Sequence, residues 1–194
     1  MLWANYTLGV LESNPLHFIQ YLFLVLFIFI CAKSSFGRLG HGQERDRFTP
    51  MIVAALRGIK VVQVACGDFH TGAISDQGRL FTWGKGDDGR LGHDSLENEL
   101  LPRPVQALSS LKIEYVACGY VTTAAVTSTG DLYTWGGNEK GQLGHGDKDA
   151  RHTPDLVKAL AGQHITQIAC ATWHTVAITS SFNLFTLFVF NLVT

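Results

Sequence analysis

Charge of one sign is the first thing that this 194-residue chain lacks, because it has 15 Lys and Arg against 16 Asp and Glu. The balance also holds between residues 36 and 180, which contain 14 basic and 15 acidic residues. Proteins that bind nucleic acid generally have a basic stripe or a basic tail, and this sequence has neither. The composition therefore predicts no nucleic-acid partner.

Signatures of metal binding and catalysis are also missing. The four cysteines are far apart in the sequence, whereas a metal site needs convergent ligands at short spacings. The sequence contains no nucleophile elbow and no recognisable catalytic triad. We therefore expect no metal, no other cofactor and no enzymatic activity.

The chain has no apolar run long enough to be a standard membrane span. Residues 1–35 contain only two charged side chains, and the apolar stretch 18–32 is 15 residues long. A membrane-spanning helix needs about 20 residues, and a secretory signal would have Lys or Arg ahead of its apolar run. If the 18–32 segment is nevertheless inserted, Lys33 and Arg38 favour a cytosolic position for the rest of the chain.

What the sequence does contain is a tandem repeat with a step of 52 residues. A cysteine, a Gly-rich loop and a proline recur in each unit, and no insertion or deletion breaks the phase of the approximate units 36–87, 88–139 and 140–180. The repeated residues are Gly40, His41, Cys66, Trp83, Gly92, His93, Cys118, Trp135, Gly144, His145 and Cys170. A period of about 50 residues indicates one supersecondary unit per repeat, which cannot bury its apolar face alone.

Each unit has the pattern of short strands. In the first unit, 61–66 and 71–75 are rich in β-branched and small apolar residues, and 79–83 alternates polar with apolar side chains. A fourth extended piece is expected after the recurrent proline, at Pro50 and its equivalents, because proline suits the start of a strand. Four strands per repeat form one blade, and blades that are repeated radially form a β-propeller.

The motifs of the repeat are specific. A Trp-Gly doublet, a Gly-(Arg/Gln)-Leu-Gly-His loop and an (Ile/Val)-Ala-Cys-Gly strand resemble the repeat of the regulator of chromosome condensation family, over roughly residues 36–180. That family builds a propeller of about seven blades. The resemblance implies an all-β fold, here a partial, open propeller of four-stranded antiparallel blades with apolar segments outside the repeat at both ends.

The two apolar ends, 1–35 and 181–194, allow three interpretations. Their T-rich codons favour translated non-coding sequence, while a weak membrane anchor at 18–32 and degenerate repeat strands are the alternatives. In the tail, 184–186 keeps the repeat register, but Leu187 and Phe188 replace the Trp-Gly doublet.

The repeated residues are expected to support the scaffold. Three histidines in the Gly-rich loops would lock each loop by a hydrogen bond to neighbouring backbone, since a catalytic or metal site is used once and not in every unit. Trp135 is expected to be buried with Leu132 and Leu143, and ligand stacking is the alternative role for the Trp residues. The cysteines would be buried on equivalent inner strands, too far apart to pair, as in a reducing compartment.

The variable positions are the better candidates for function, because loop tips on a scaffold are free to specialise. The turn after each Cys strand differs between units, and aromatic residues there suit a protein-binding surface. The alternative is that Phe69 and Trp173 plug the central channel or pack on a neighbouring blade. The candidate partner-binding residues are Asp68, Phe69, His70, Tyr120, Trp173 and His174.

The family resemblance implies a protein-interaction propeller, used as a scaffold or a regulatory module. The alternative is guanine-nucleotide exchange on a small GTPase. The plant ultraviolet-B photoreceptor, which has the same repeat, relies on clustered Trp next to Arg in these turns, and here the turns contain only Trp173, without an adjacent Arg. We expect a location in the cytoplasm or the nucleus, with membrane attachment only if the 18–32 segment is genuine protein sequence.

Overall fold

The computed structural model describes residues 33–187, which form three consecutive antiparallel sheets and no α-helix. The prediction of an all-β, open propeller is confirmed. Five single 3-10 turns connect the strands within this range, at Ser35–Gly37, Ala54–Leu56, Asp87–Gly89, Gln106–Leu108 and Lys158–Leu160. The predictions of a membrane anchor, non-coding sequence or degenerate strands for residues 1–32 and 188–194 lie outside the described residues.

Each sheet orders its strands as they occur in the chain. The first sheet contains β1 (Val61–Cys66), β2 (His70–Ser75), β3 (Leu80–Gly84) and β4 (Glu99–Pro104). The second contains β5 (Ile113–Cys118), β6 (Thr122–Thr127), β7 (Leu132–Gly136) and β8 (Arg151–Leu156). The third contains β9 (Ile165–Cys170), β10 (Thr175–Thr179) and β11 (Leu184–Leu187).

The strands that end at the repeated cysteines, β1, β5 and β9, are the inner strands of the three sheets. β5 contacts both β1 and β9, so the strands that end at the three repeated cysteines lie side by side along one line. Identical spacing without insertions forces equivalent placement, and the predicted position of Cys66, Cys118 and Cys170 is confirmed.

The fourth strand differs from expectation. Pro102 and Pro154 lie inside β4 and β8 rather than ahead of them, and the corresponding residues 47–52 form no strand. β4 and β8 are outer edge strands whose pairing is irregular near the proline. An edge position tolerates proline because the missing N–H is not needed by another strand.

Apolar cores fill the seams between sheets. Trp135 is fully buried, as expected, but it packs in the seam between the first two sheets, whereas Leu132 belongs to the seam between the second and third. The two side chains are three residues apart in one strand and therefore point to opposite faces. The first seam contains Ile74, Leu80, Val105, Leu108, Ile113, Val116, Cys118, Ala125 and Trp135.

The third sheet keeps this arrangement despite its altered sequence. Leu187 pairs with Thr175 as Trp135 pairs with Thr123, and it is 94% buried in the second seam. The hairpin before β11 has Phe182 at φ 64°, where the other two hairpins use glycine. The register is thus maintained by seam packing, even where the preferred turn residue is absent.

Candidate functional site

The variable turns lie at the same end of the three inner strands. In each, the residue after the Cys strand donates its backbone N–H to the carbonyl three residues later, from Gly67 to His70, from Gly119 to Thr122 and from Ala171 to His174. The shared hydrogen bond gives the turns one shape. Radial repetition then presents them next to one another on one face of the open propeller.

Four aromatic rings from this face form a continuous line, which we call the aromatic row: Phe36, Phe69, Tyr120 and Trp173. The ring centroids of Phe36 and Phe69 are 5.7 Å apart, those of Phe69 and Tyr120 are 5.4 Å apart, and those of Tyr120 and Trp173 are 6.2 Å apart. These are ordinary aromatic contact distances, with edge-to-face or tilted rings. The row therefore connects all three sheets across their inner strands.

Cations lie over the row. The Arg38 guanidinium is 5.1 Å from the Phe69 ring centroid, Lys85 Nζ is 4.8 Å from that of Phe36, and Lys140 Nζ is 5.8 Å from that of Trp173. Each such contact contributes about 0.5–1 kcal/mol at an exposed site. Aromatic rings with cations beside them provide both apolar area and charge for a partner.

One carboxylate joins this charge arrangement. Lys85 Nζ is 2.7 Å from Asp87 Oδ2, and this hydrogen bond is the main reason why the pKa of Asp87 lies below its usual value. The face therefore has mixed charge rather than one uniform sign.

Sequence reasoning found three of the four rings and missed Phe36, Arg38, Lys85 and Lys140. Phe36 lies in the loop ahead of the repeated Gly-Arg-Leu-Gly-His, where the equivalent residues are Asp88 and Lys140. The signal that could have identified Phe36 is that the residue at this position of the repeat differs between units. The same kind of variation identified the turns.

The predicted partner-binding residues differ in exposure. Asp68 and His174 are exposed, Phe69 and Tyr120 are half-buried by their contacts within the row, and Trp173 is 48% exposed. Trp173, from the third sheet, is thus the most accessible ring of the row.

The structure contradicts the prediction for His70, whose side chain was expected to be exposed in a partner-binding turn. It begins β2, has 0% exposure, and its Nε2 lies 2.7 Å from Thr123 Oγ1 in the second sheet. His70 therefore joins the two sheets, and its side chain is not available to a partner. The equivalent His174 is exposed, since no further sheet covers it within residues 33–187.

His70 should make the stability of the protein depend on pH. Burial first, and then the charge of Arg90, lower its pKa to about 3 from the ordinary 6.5. Between these two values, the His70 side chain is protonated in the unfolded chain and neutral in the folded protein. Protonation of His70 therefore has little effect on the free energy of unfolding above pH 6.5. Below that pH, it lowers the free energy of unfolding by up to about 1.4 kcal/mol per pH unit as the pH drops toward 3.

A His70→Gln variant should have a flatter dependence in this range. The measurement is the free energy of unfolding by urea between pH 7 and pH 4.5, in both proteins. Other histidines contribute equally to both, so the difference in slope reports His70. Parallel slopes would contradict the assignment.

The loop histidines have a structural partner other than the one expected. His93 Nε2 lies 3.0 Å from Thr82 Oγ1, and His145 Nε2 lies 3.0 Å from Thr134 Oγ1. Each Thr hydroxyl donates to the carbonyl of Leu91 or of Leu143, at 2.7 Å, and so accepts from the imidazole. The histidines lock their loops through a strand side chain rather than through backbone, and burial is the main cause of the lowered pKa of His93.

The repeated glycines allow these loops to approach the next sheet. A Cβ at Gly40 would lie 2.8 Å from Trp83 Nε1, one at Gly92 would lie 2.7 Å from Trp135 Nε1, and one at Gly144 would meet Leu187 at 3.1 Å. The Gly92 and Gly144 loops thus close over Trp135 and Leu187, which lie in the two seams, and the Gly40 loop closes over the equivalent Trp83. His41 lies in the first of these loops and is half-buried.

The thiols of the inner strands are poorly suited to chemistry. Burial raises the pKa of Cys118, and burial raises the pKa of Cys170 to about 11. A thiolate is the reactive form of cysteine, so these side chains are unreactive near neutral pH. Within residues 33–187, no group of three or more His, Cys, Asp or Glu could hold a metal ion, and no helix of this range is long and apolar enough to cross a membrane.

Three sheets with repeated seams and one aromatic face define a partial β-propeller built from tandem repeats. The chain belongs to the regulator of chromosome condensation (RCC1) repeat family, whose model matches residues 33–74, 77–126 and 129–178. A second model of the same repeat matches 61–90 and 113–142.

Two curated relatives illustrate the similarity. The chain is 42% identical over 151 residues to the ultraviolet-B receptor UVR8 of Arabidopsis thaliana, covering 78% of this chain and 34% of the receptor. It is 35% identical over 154 residues to the E3 ubiquitin-protein ligase HERC2 of Homo sapiens, covering 78% of this chain and 3% of the ligase. The chain therefore spans about a third or less of these relatives.

Two solved structures share the fold. Human WBSCR16 matches with a TM-score of 0.69 at 23% identity, over 79% of this chain and 40% of that one. Prp20p from Saccharomyces cerevisiae matches with a TM-score of 0.68 at 23% identity, over 80% of this chain and 39% of that one.

Proposed function

We propose that this chain is a protein-interaction module that binds its partner through the aromatic row. The observation behind the proposal is the continuous line of four rings, at centroid separations of 5.4–6.2 Å, on one face of a rigid repeat scaffold. Aromatic and Arg side chains are the residues that most often dominate binding energy at protein interfaces. Rings that already contact one another, as those of Phe36, Phe69 and Tyr120 do, lose little conformational freedom on binding, which favours affinity.

The relatives are consistent with binding as the activity. The structure of Prp20p was described together with its binding to Gsp1p and histones, and HERC2 is a ubiquitin ligase in which the matched region is 3% of the chain. We do not extend light sensing from UVR8, because the row contains one Trp among four rings.

The proposed activity is binding without covalent chemistry, metal or cofactor. The loop histidines are already engaged by Thr82 and Thr134. Unpaired thiols at Cys118 and Cys170 support a reducing compartment, the cytoplasm or the nucleus. Balanced charge supports a protein rather than a nucleic acid as partner, and membrane attachment would require the 18–32 segment to be genuine.

Replacing Phe69 and Trp173 together by Ala should abolish partner capture while the sheets remain folded. Both rings belong to the row, and neither belongs to a seam core. Loss of two aromatic contacts at an interface typically weakens binding by about 2 kcal/mol or more, roughly 30-fold. The measurement is a pull-down from the source tissue with the wild-type and variant proteins, with folding checked by circular dichroism.

The matched control is Phe182→Ala. Phe182 is an aromatic residue with 91% exposure, in the hairpin between β10 and β11, at the end of the sheet opposite to the row. It should retain every partner that the wild-type protein captures. An unchanged partner list for the folded Phe69→Ala, Trp173→Ala protein would place the binding surface elsewhere.

A narrower proposal is that the partner is a small GTPase and that the propeller accelerates its release of guanine nucleotide. Its support is the fold shared with Prp20p, which binds Gsp1p. It ranks second because no residue of the row is matched to displacement of a nucleotide. Nucleotide release from a panel of small GTPases, measured with the same samples, separates exchange from binding alone.

A further inference from the structure

Two arginines connect the repeated loops to the partner-facing turns. Arg90, in the loop between β3 and β4, is 2% exposed, and its Nη1 donates to the Tyr120 carbonyl at 2.6 Å while its Nε donates to the Asp87 carbonyl at 2.8 Å. Arg38 makes the equivalent pair of bonds, with Nη1 to the Asp68 carbonyl at 2.5 Å. A loop of one repeat thereby fixes the variable turn of the next sheet.

The third repeat has glutamine at this position. Gln142 is 1% exposed, and its Oε1 accepts from the backbone N–H of Lys140 within its own loop, at 2.9 Å. Its Nε2 is buried and has no hydrogen-bond partner among the described residues. By the repeat step, the carbonyl that an arginine would reach here is that of Thr172, and Gln142 Nε2 does not donate to it.

At the second position of the turn, Trp173 is exposed, whereas the equivalent Phe69 and Val121 are half-buried. The second sheet's loop contacts this turn through Lys140, whose Nζ is 5.8 Å from the Trp173 ring centroid. A cation–π contact orders a turn less than a charge-assisted hydrogen bond to one of its carbonyls does.

We propose that Arg38 and Arg90 are positioning residues that hold the first two turns of the aromatic row in place, and that Gln142 leaves the Trp173 turn free to adjust to a partner. The row then has a rigid part, at Phe69 and Tyr120, and an adaptable end at Trp173. The consequence for binding rests on the proposed function, while the difference in order between the turns does not. Binding of a partner should therefore slow backbone hydrogen exchange more at residues 171–174 than at residues 119–122.

Backbone hydrogen exchange, followed by mass spectrometry on the whole chain, tests this assignment. In the wild-type protein, amides of 171–174 should exchange about tenfold faster than those of 119–122, because a hydrogen bond from a charged donor holds the second turn but not the third. Gln142→Arg should slow exchange at 171–174 by about tenfold. Arg90→Gln should accelerate exchange at 119–122 by a similar factor.

Gln142→Leu is the control, since it fills the same space without a donor and should leave exchange at 171–174 unchanged. Equal exchange of the two turns in the wild-type protein overturns the assignment, and so does unchanged exchange at 171–174 in folded Gln142→Arg. If Gln142→Arg does not fold, the test is the exchange at 119–122 in Arg90→Gln, and an unchanged rate there overturns the assignment. Retained partners in the Phe69→Ala, Trp173→Ala protein would refute the proposed function and leave the exchange result intact.

Discussion

Replacing Trp135 by Ala is expected to lower the free energy of unfolding by about 3–5 kcal/mol. The indole is fully buried in the seam between the first two sheets, in contact with side chains of both. Its Nε1 has no hydrogen-bond partner among the described residues. The expected loss is therefore a loss of packing, with a cavity left between Gly92 and the seam.

Trp173→Ala is the matched control for this measurement, because it makes the same chemical change at a side chain that is 48% exposed. It should cost about 1 kcal/mol or less. Urea denaturation of both variants and the wild-type protein gives the comparison. Similar losses for the two variants would show that Trp135 does not support the seam.

The scaffold was predictable because its sequence signals repeat. Three copies of one pattern at one spacing indicated the strands, the inner position of the cysteines and the burial of Trp135. The exceptions also have physical reasons. Pro102 could lie inside β4 because that strand is an outer edge, and Leu187 could replace Trp because seam packing requires an apolar side chain there rather than a particular one.

The aromatic row was only partly predictable. Variation within the repeat marked Phe69, Tyr120 and Trp173, but their alignment with Phe36 depends on how successive sheets pack, which a single sequence does not show. His70 was assigned to the wrong environment for the same reason. Its place in the repeat equals that of the exposed His174, and only the position of the second sheet distinguishes the two.

The Trp-Gly doublet links the scaffold to the site. Trp135 seals the seam, and the chain after it then runs against the variable turn, where the Gly137 N–H donates to the Val121 carbonyl at 3.0 Å. Gly136 has φ 105°, and a Cβ there would lie 2.2 Å from the Val121 carbonyl oxygen and 3.0 Å from Thr122 Cα. Both obstacles are backbone atoms, which cannot rotate away.

Gly136→Ala is therefore expected to destabilise the protein by about 3 kcal/mol or more, from the unfavourable φ together with the steric overlap. Gly162→Ala is the matched control, because Gly162 has φ 80° and a Cβ there would meet nothing within 4 Å. It should cost only the conformational part, about 1–2 kcal/mol. Urea denaturation of both variants measures the difference, and equal losses would contradict the proposed close approach of β7 to the Tyr120 turn.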